Sequence, residues 1–247
     1  MKDKRALLMG LLWTVVVIAG VSGFSGAPAM AAEMTDAQGI VDKAQITFGD
    51  FVRDQDNTWL HENLKNARGL LIFPQVLKAG FFLGGSGGTG VLVLRDGKTC
   101  NWSQPAFYTL GSVTFGLQIG GESAEVLMLV MSDKAVDTLL ASSLKLGGDA
   151  SFALGPIGKG AKSNITADFV SFAKTKGLYA GLNLEGSVVD VRDSLNRSYY
   201  GKDVRPIDIL VKKDVTNEGS KELITILDKS VAPDGICMPS LTFNYGF

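Results

Sequence analysis

The sequence predicts an α+β fold: a strongly curved antiparallel sheet or partly closed barrel, with N-terminal, central and C-terminal helices packed on it. Three observations predict it. Helical periodicity is confined to the two ends and one central segment, six short apolar runs fill the stretch between, and glycine recurs within that stretch. Glycine inside a strand marks a bulge, a bend or a close backbone approach, which suits a sheet that curls.

The elements follow in order. Lys2, Lys4 and Arg5 precede the uncharged apolar run Ala6–Val21, and the small residues Ala27–Ala32 supply a cleavage site. Residues 1–31 read as a secretory signal peptide cut after Ala31, which places the mature chain in the periplasm or outside the cell. An uncleaved N-terminal anchor is the rival reading, the apolar run being slightly short for a span. Ile40, Ala44, Phe48, Phe51 and Val52 then recur at steps of four and three, one face of an amphipathic helix that Thr35 can cap. A shorter helix near Asn57–Asn66 turns Trp59, Leu60 and Leu64 inward before Gly69 stops it. The strand runs are Leu70–Phe73, Val91–Leu94, Val126–Val130, Ser151–Leu154, Val170–Ala173 and Leu178–Leu184. One helix interrupts them, capped by Ser132 and burying Ala135, Val136, Leu139 and Leu140. Helix returns near the C-terminus with Leu223, Ile226 and Leu227, and residues 231–247 form an extension of loop and a short strand, "LTFNY", suited to a sheet edge.

Gly85, Gly87 and Gly90 spell the dinucleotide fingerprint G-x-G-x-x-G, but Val91–Leu94 and the turn Arg95-Asp96-Gly97 follow it. The fingerprint works only where a helix opens from it, so these glycines serve the strand rather than a nucleotide. "GPIGKGAKS" (155–163) likewise fails the spacing of a phosphate loop. The one histidine, His61, and the absence of a G-x-S-x-G elbow leave no activated nucleophile. Glu122, Glu125, Asp149 and Glu185 lie near strand ends, where single carboxylates are ordinarily solvated. No catalytic residue, metal ligand set or cofactor is expected.

The chain has 24 Lys+Arg and 25 Asp+Glu; residues 1–31 take three of the former and one of the latter, leaving 21 against 24. So balanced a chain lacks the basic field of a nucleic-acid binder. Cys100 and Cys237 both lie in the exported part, where an oxidising compartment permits a disulfide; two unrelated thiols is the other reading. A bridge would close a loop worth about 4–5 kcal/mol at most, and would tie the C-terminal extension down.

Five segments together resemble the SYLF domain family: "ARGLLIFPQVLKAGFFLGG" (67–85), "WSQPAFYTLGSVTFGLQIGGESAEVLMLVM" (102–131), "LKLGGDASFALGPIG" (144–158), "KGLYAGLNLEGSVV" (176–189) and "NRSYYG" (196–201). Residues 32–230 would form that domain, with 231–247 outside the family pattern. The resemblance implies a non-catalytic module binding anionic or phosphorylated lipid headgroups, such as phosphatidylinositol phosphates, with actin binding in some fungal members. Actin is an implausible partner for an exported protein of the bacterial envelope, so phospholipid or a membrane surface is the partner carried over; a protein partner stays unidentified. Lys78, Lys159, Lys162, Lys174 and Lys176 stand beside turns of the matching segments and are the candidate headgroup ligands, provided they converge in space. An outer-membrane-associated β-barrel is the alternative, because Leu241, Phe243, Tyr245 and Phe247 alternate at the C-terminus; a structural envelope protein that binds another protein is a further one.

Overall fold

The apolar runs decide the architecture because they are apolar at consecutive positions, so each strand must be covered on both faces. The computed structural model describes residues 27–80, 83–115, 120–141, 143–160, 164–179, 182 and 184–231. It contains α1 (Ala27–Arg53), α2 (Thr58–Asn63), β1 (Gly69–Gly80), β2 (Leu83–Leu94), β3 (Ala106–Phe115) and β4 (Gly120–Val130). After these come α3 (Asp133–Leu140), β5 (Ser143–Lys145), β6 (Phe152–Leu154), β7 (Phe169–Thr175), β8 (Leu178–Tyr179) and β9 (Val188–Val191), then α4 (Asp193–Tyr200), α5 (Pro206–Leu210) and α6 (Lys221–Val231).

The strands form one nine-stranded sheet in the order β5-β9-β3-β2-β1-β4-β7-β6, with β8 beside β7. It curls into a half-barrel. Pairing is antiparallel except where β6 runs parallel to β7, so the sheet is mixed rather than purely antiparallel as the sequence suggested. The central strand β1 is flanked by β2 and β4, and β3 lies beyond β2.

Alternation sorts the apolar residues onto two faces. Leu71, Phe73, Leu92, Tyr108, Val126, Met128 and Phe169 join Val136, Leu139, Ile209 and Leu210 of α3 and α5 in one core. Leu70, Ile72, Val91, Val93, Phe107, Leu127, Leu129 and Phe172 join residues of α1, α2, α4 and α6 in the other. Phe48, Phe51 and Trp59 are buried there, as their helical spacing predicts. The stripe of α1 that packs is Ala37, Val41, Ala44, Phe48 and Phe51, while Ile40 and Val52 only border it. Ser132 caps α3, its Oγ accepting from the Ala135 N–H at 3.1 Å and donating to Asp168.

One irregularity in β1 sets the position of everything beyond it. The register with both neighbours shifts by one residue between Ile72 and Val76, around Pro74. Proline has no N–H to give a ladder, so the strand bulges there. Gly88 and Gly90 of β2 face the bulge: a Cβ on Gly88 would stand 2.3 Å from the Gln75 carbonyl oxygen, and one on Gly90 2.2 Å from that of Ile72. The G-x-G-x-x-G stretch is thus a strand whose glycines admit a neighbouring backbone.

Among the described residues no helix is long and apolar enough to cross a membrane. The expected signal segment up to residue 26, Lys162, Cys237 and the expected edge strand "LTFNY" lie outside the described residues.

Candidate functional site

Beyond Pro74 the helix-facing side of the sheet is no longer filled by large side chains, and a groove of about 600 Å³ opens between α1 and the strands. Lys43, Ile46, Thr47 and Asp50 of α1 form one wall. Pro74 and Gln75 of the bulge, Ser123 and Glu125 of β4, and Lys174, Lys176 and Gly177 of the β7–β8 hairpin form the rest. A second hollow of about 240 Å³ adjoins it, sharing Lys43, Pro74 and Gln75 and adding Ile40, Leu77 and the β2 backbone at 87–89.

The lysines chosen from sequence meet different fates. Lys174 lies on the helix-facing side of β7 and is buried, only 5 % exposed. Its Nζ sits 2.9 Å from Asp54 Oδ2 and 3.0 Å from the Asp50 carbonyl oxygen, above the Phe51 and Tyr179 rings at 5.0 and 4.6 Å. That hydrogen bond holds the Asp54 carboxyl below the usual carboxylate range, against the opposing effect of burial. Lys174 therefore fastens β7 to the end of α1 and has little left for a ligand. Lys159 pairs with Asp56 at 3.1 Å on the surface, near the same α1–α2 connection. Lys176 sits exposed at the hairpin turn with φ 50, followed by Gly177 at φ 77.

Lys78 goes to the opposite face. Strict alternation from Leu70 and Ile72 would place it on the helix side with Lys174. The extra residue at the bulge returns Val76 to the α3 side and sends Leu77 into the groove region, so Lys78 points away, across from Glu122. The structure thus groups Lys159, Lys174 and Lys176 at one end and separates Lys78 from them.

Lys43 is the residue that sequence reasoning missed. It belongs to a helix whose polar positions are dominated by Asp36, Asp42 and Asp50, with Asp54 just past its end, and only the docking of α1 shows that it overhangs the groove. The groove's charges are nearly matched. Asp50 is engaged by Arg53 at 2.9 Å, and Glu125 accepts from Thr47 Oγ1 at 3.3 Å while standing beside Lys174 across the strand pair. Lys43 and Lys176 form no ion pair among the described residues, which leaves them as the groove's available cations. Hydroxyl and amide groups of Ser123 and Gln75 stand with them.

Of the remaining residues singled out, exposed His61 contacts the Asp54 carbonyl oxygen through Nε2 at 3.0 Å. Asp149 Oδ2 accepts from the Lys145 N–H at 2.7 Å, a turn-stabilising contact. Among the described residues no cluster of three or more His, Cys, Asp and Glu side chains could hold a metal ion. Cys100 lies in the β2–β3 connection with φ 62.

The sheet carries helices on both faces, and beside its bulge lies a groove with two lysines that form no ion pair among the described residues. Residues 111–230 match the family described as "Ysc84: Las17-binding protein actin regulator". The chain carries a domain of this Ysc84, or SYLF, family. It is 34% identical over 172 residues to the human SH3 domain-containing YSC84-like protein 1, covering 67% of this chain and 49% of that one. It is 42% identical over 150 residues to an SH3 domain-containing protein of Schizosaccharomyces pombe, covering 57% and 34% of the two chains. It is 33% identical over 174 residues to Protein YSC84 of Saccharomyces cerevisiae, covering 67% and 36%. The chain thus spans about half or less of the length of these relatives, and none of the three is named as an enzyme.

Proposed function

We propose that this chain is a non-catalytic, exported module of the bacterial envelope that binds anionic or phosphorylated lipid headgroups in the groove beside Pro74. The observation that carries this reading is the pair Lys43 and Lys176, two cations without an ion-pair partner among the described residues, on the walls of one groove open to solvent. A phosphate group is recognised by converging cations and donors of this kind. Co-sedimentation with vesicles tests it. The mature protein should pellet with phosphatidylglycerol or phosphoinositide vesicles and not with phosphatidylcholine alone, and binding should weaken with salt. The double variant Lys43→Glu, Lys176→Glu should abolish pelleting; unchanged pelleting removes the groove from the account.

The family description, which names a binding protein and actin regulator, favours a second reading in which the same groove receives a protein. Capture of a purified protein partner that the double variant abolishes, with no vesicle binding by the parent, would replace the lipid reading.

The integral-barrel alternative is weaker. The apolar stretches of the long strands, Leu70–Phe73, Val91–Leu94 and Val126–Val130, are covered by protein on both faces, whereas a membrane barrel turns an apolar band to lipid. We also propose the Cys100–Cys237 disulfide, whose second cysteine lies outside the described residues. Alkylation of the unreduced, denatured protein should find no free thiol, and two labelled cysteines would refute the bridge.

A further inference from the structure

Single exposed aliphatic side chains are ordinary on any protein surface and call for no explanation. Their arrangement here is less ordinary. Leu178, Ile46 and Leu77, at 75, 56 and 55 % exposure, are the most exposed large hydrophobic residues among those described. They come from three separate elements, β8, α1 and β1, yet two of them line the joined hollows and the third is next in sequence to a lining residue. Ile46 lines the larger one and Leu77 the smaller, while Leu178 directly follows Gly177 on the hairpin wall. Lys43 lines both hollows, and Lys176 stands two positions before Leu178.

We propose that Leu77, Ile46 and Leu178 are the membrane-contacting rim of the groove, entering the interfacial layer of a phospholipid surface while Lys43 and Lys176 sit at the level of the lipid phosphates. The proposal rests on the lipid reading above and deepens it, by stating which face of the molecule meets the bilayer. Aliphatic side chains mixed with lysine are the composition of an interfacial membrane contact. The centre of a protein–protein interface, by contrast, is depleted of lysine and enriched in aromatic residues and arginine, and among the described residues that line the two hollows there is neither. The three side chains are also presented on fixed backbone. Leu77 is paired on both sides, with Gly87 and Ser123, and Leu178 is held by β7 through its pairing with Thr175. Little ordering is therefore lost on contact.

The test uses phosphatidylglycerol-containing vesicles and the full mature chain. Leu178→Trp introduces a fluorophore at the rim, while the native Trp59 and Trp102 are buried and supply a constant background. On binding, its emission should shift to the blue and be quenched by lipids brominated on the acyl chain. Leu77→Asp, Ile46→Asp and Leu178→Asp should each weaken vesicle binding by about tenfold, the scale expected for burying a single aliphatic side chain. Val188→Asp, at an exposed position of β9 near the far edge of the sheet, should bind as the parent does. If the parent binds and the Lys43, Lys176 double variant does not, while the tryptophan is neither shifted nor quenched, the rim is wrong and the headgroup groove stands. Aspartate variants that bind like the parent overturn the rim in the same way. A parent that binds no vesicles overturns both.

Discussion

Three of the long strands, β1, β2 and β4, are each two different materials. On one side of the Pro74 bulge, Leu70–Phe73, Val91–Val93 and Val126–Val130 are completely buried, with helices on one face and α3, α5 and short strands on the other. On the far side, the same strands continue through Gln75, Leu77, Ser86, Gly87 and Ser123, small or solvent-facing residues that leave the groove open. The near half obtains its stability from apolar area removed from water, and the far half inherits its position from the near half through the continuous backbone of each strand. A single inserted residue divides the strand that holds the fold from the strand that can face a partner.

The largest effect should come from cutting the near half. Phe73→Ala should cost about 3–5 kcal/mol in urea unfolding, the range for emptying a buried aromatic site, whereas Leu77→Ala four residues on should stay within about 0.5 kcal/mol. Equal costs would erase the division. At the boundary, Gly90→Ala should cost about 1–3 kcal/mol because its new Cβ meets the Ile72 carbonyl and the Phe73 ring. Gly111→Ala, with nothing within 4 Å of the added carbon, should be neutral or slightly stabilising by thermal melting.

Two lysines on one hairpin sharpen the contrast further. Lys174→Met leaves Asp54 without its partner and should cost about 1–3 kcal/mol near neutral pH. Asp54 has a depressed carboxyl, so its contribution is present above the unfolded value of about 3.9 and fades as pH falls below it. The gap between variant and parent should therefore narrow in acid; a gap constant down to acid would assign the cost to packing instead. Lys176→Met should leave stability untouched and weaken only vesicle binding. The smallest effect belongs to Lys159→Glu: its pair with Asp56 is exposed on both sides and should contribute about 0.5 kcal/mol or less, with a smaller loss of vesicle binding than Lys176→Glu.

Much of the near half was legible in the sequence. The spacing of Phe48 and Phe51, the cap at Ser132 and the apolar runs Leu70–Phe73, Val91–Leu94 and Val126–Val130 each have a local physical cause, and each landed where that cause put it, whereas the run expected over Leu178–Leu184 is strand only at Leu178–Tyr179 among the described residues. The far half was less so. Counting by twos along β1 sends Lys78 to the groove, and nothing in its neighbourhood except Pro74 warns that the count slips. The burial of Lys174 depends on Asp54, 120 positions earlier, and the exposure of Lys43 depends on how α1 lies. Such properties belong to the assembled surface, and no local pattern carries them.

The placement of α1 has a consequence for how the chain comes into being. Its Gln38 side chain donates to the Gly219 carbonyl, 181 positions later, and Phe48 and Phe51 share their core with Leu223 and Leu227 of α6. The helix leaves the ribosome well before α6, so part of its sheath arrives late. At roughly 5–20 residues per second, the stripe meets Leu70 and Ile72 of β1 within about five seconds but waits on the order of ten to forty seconds for α6. For that interval the part of the stripe that α6 will cover stays exposed on the nascent chain, a surface open to aggregation.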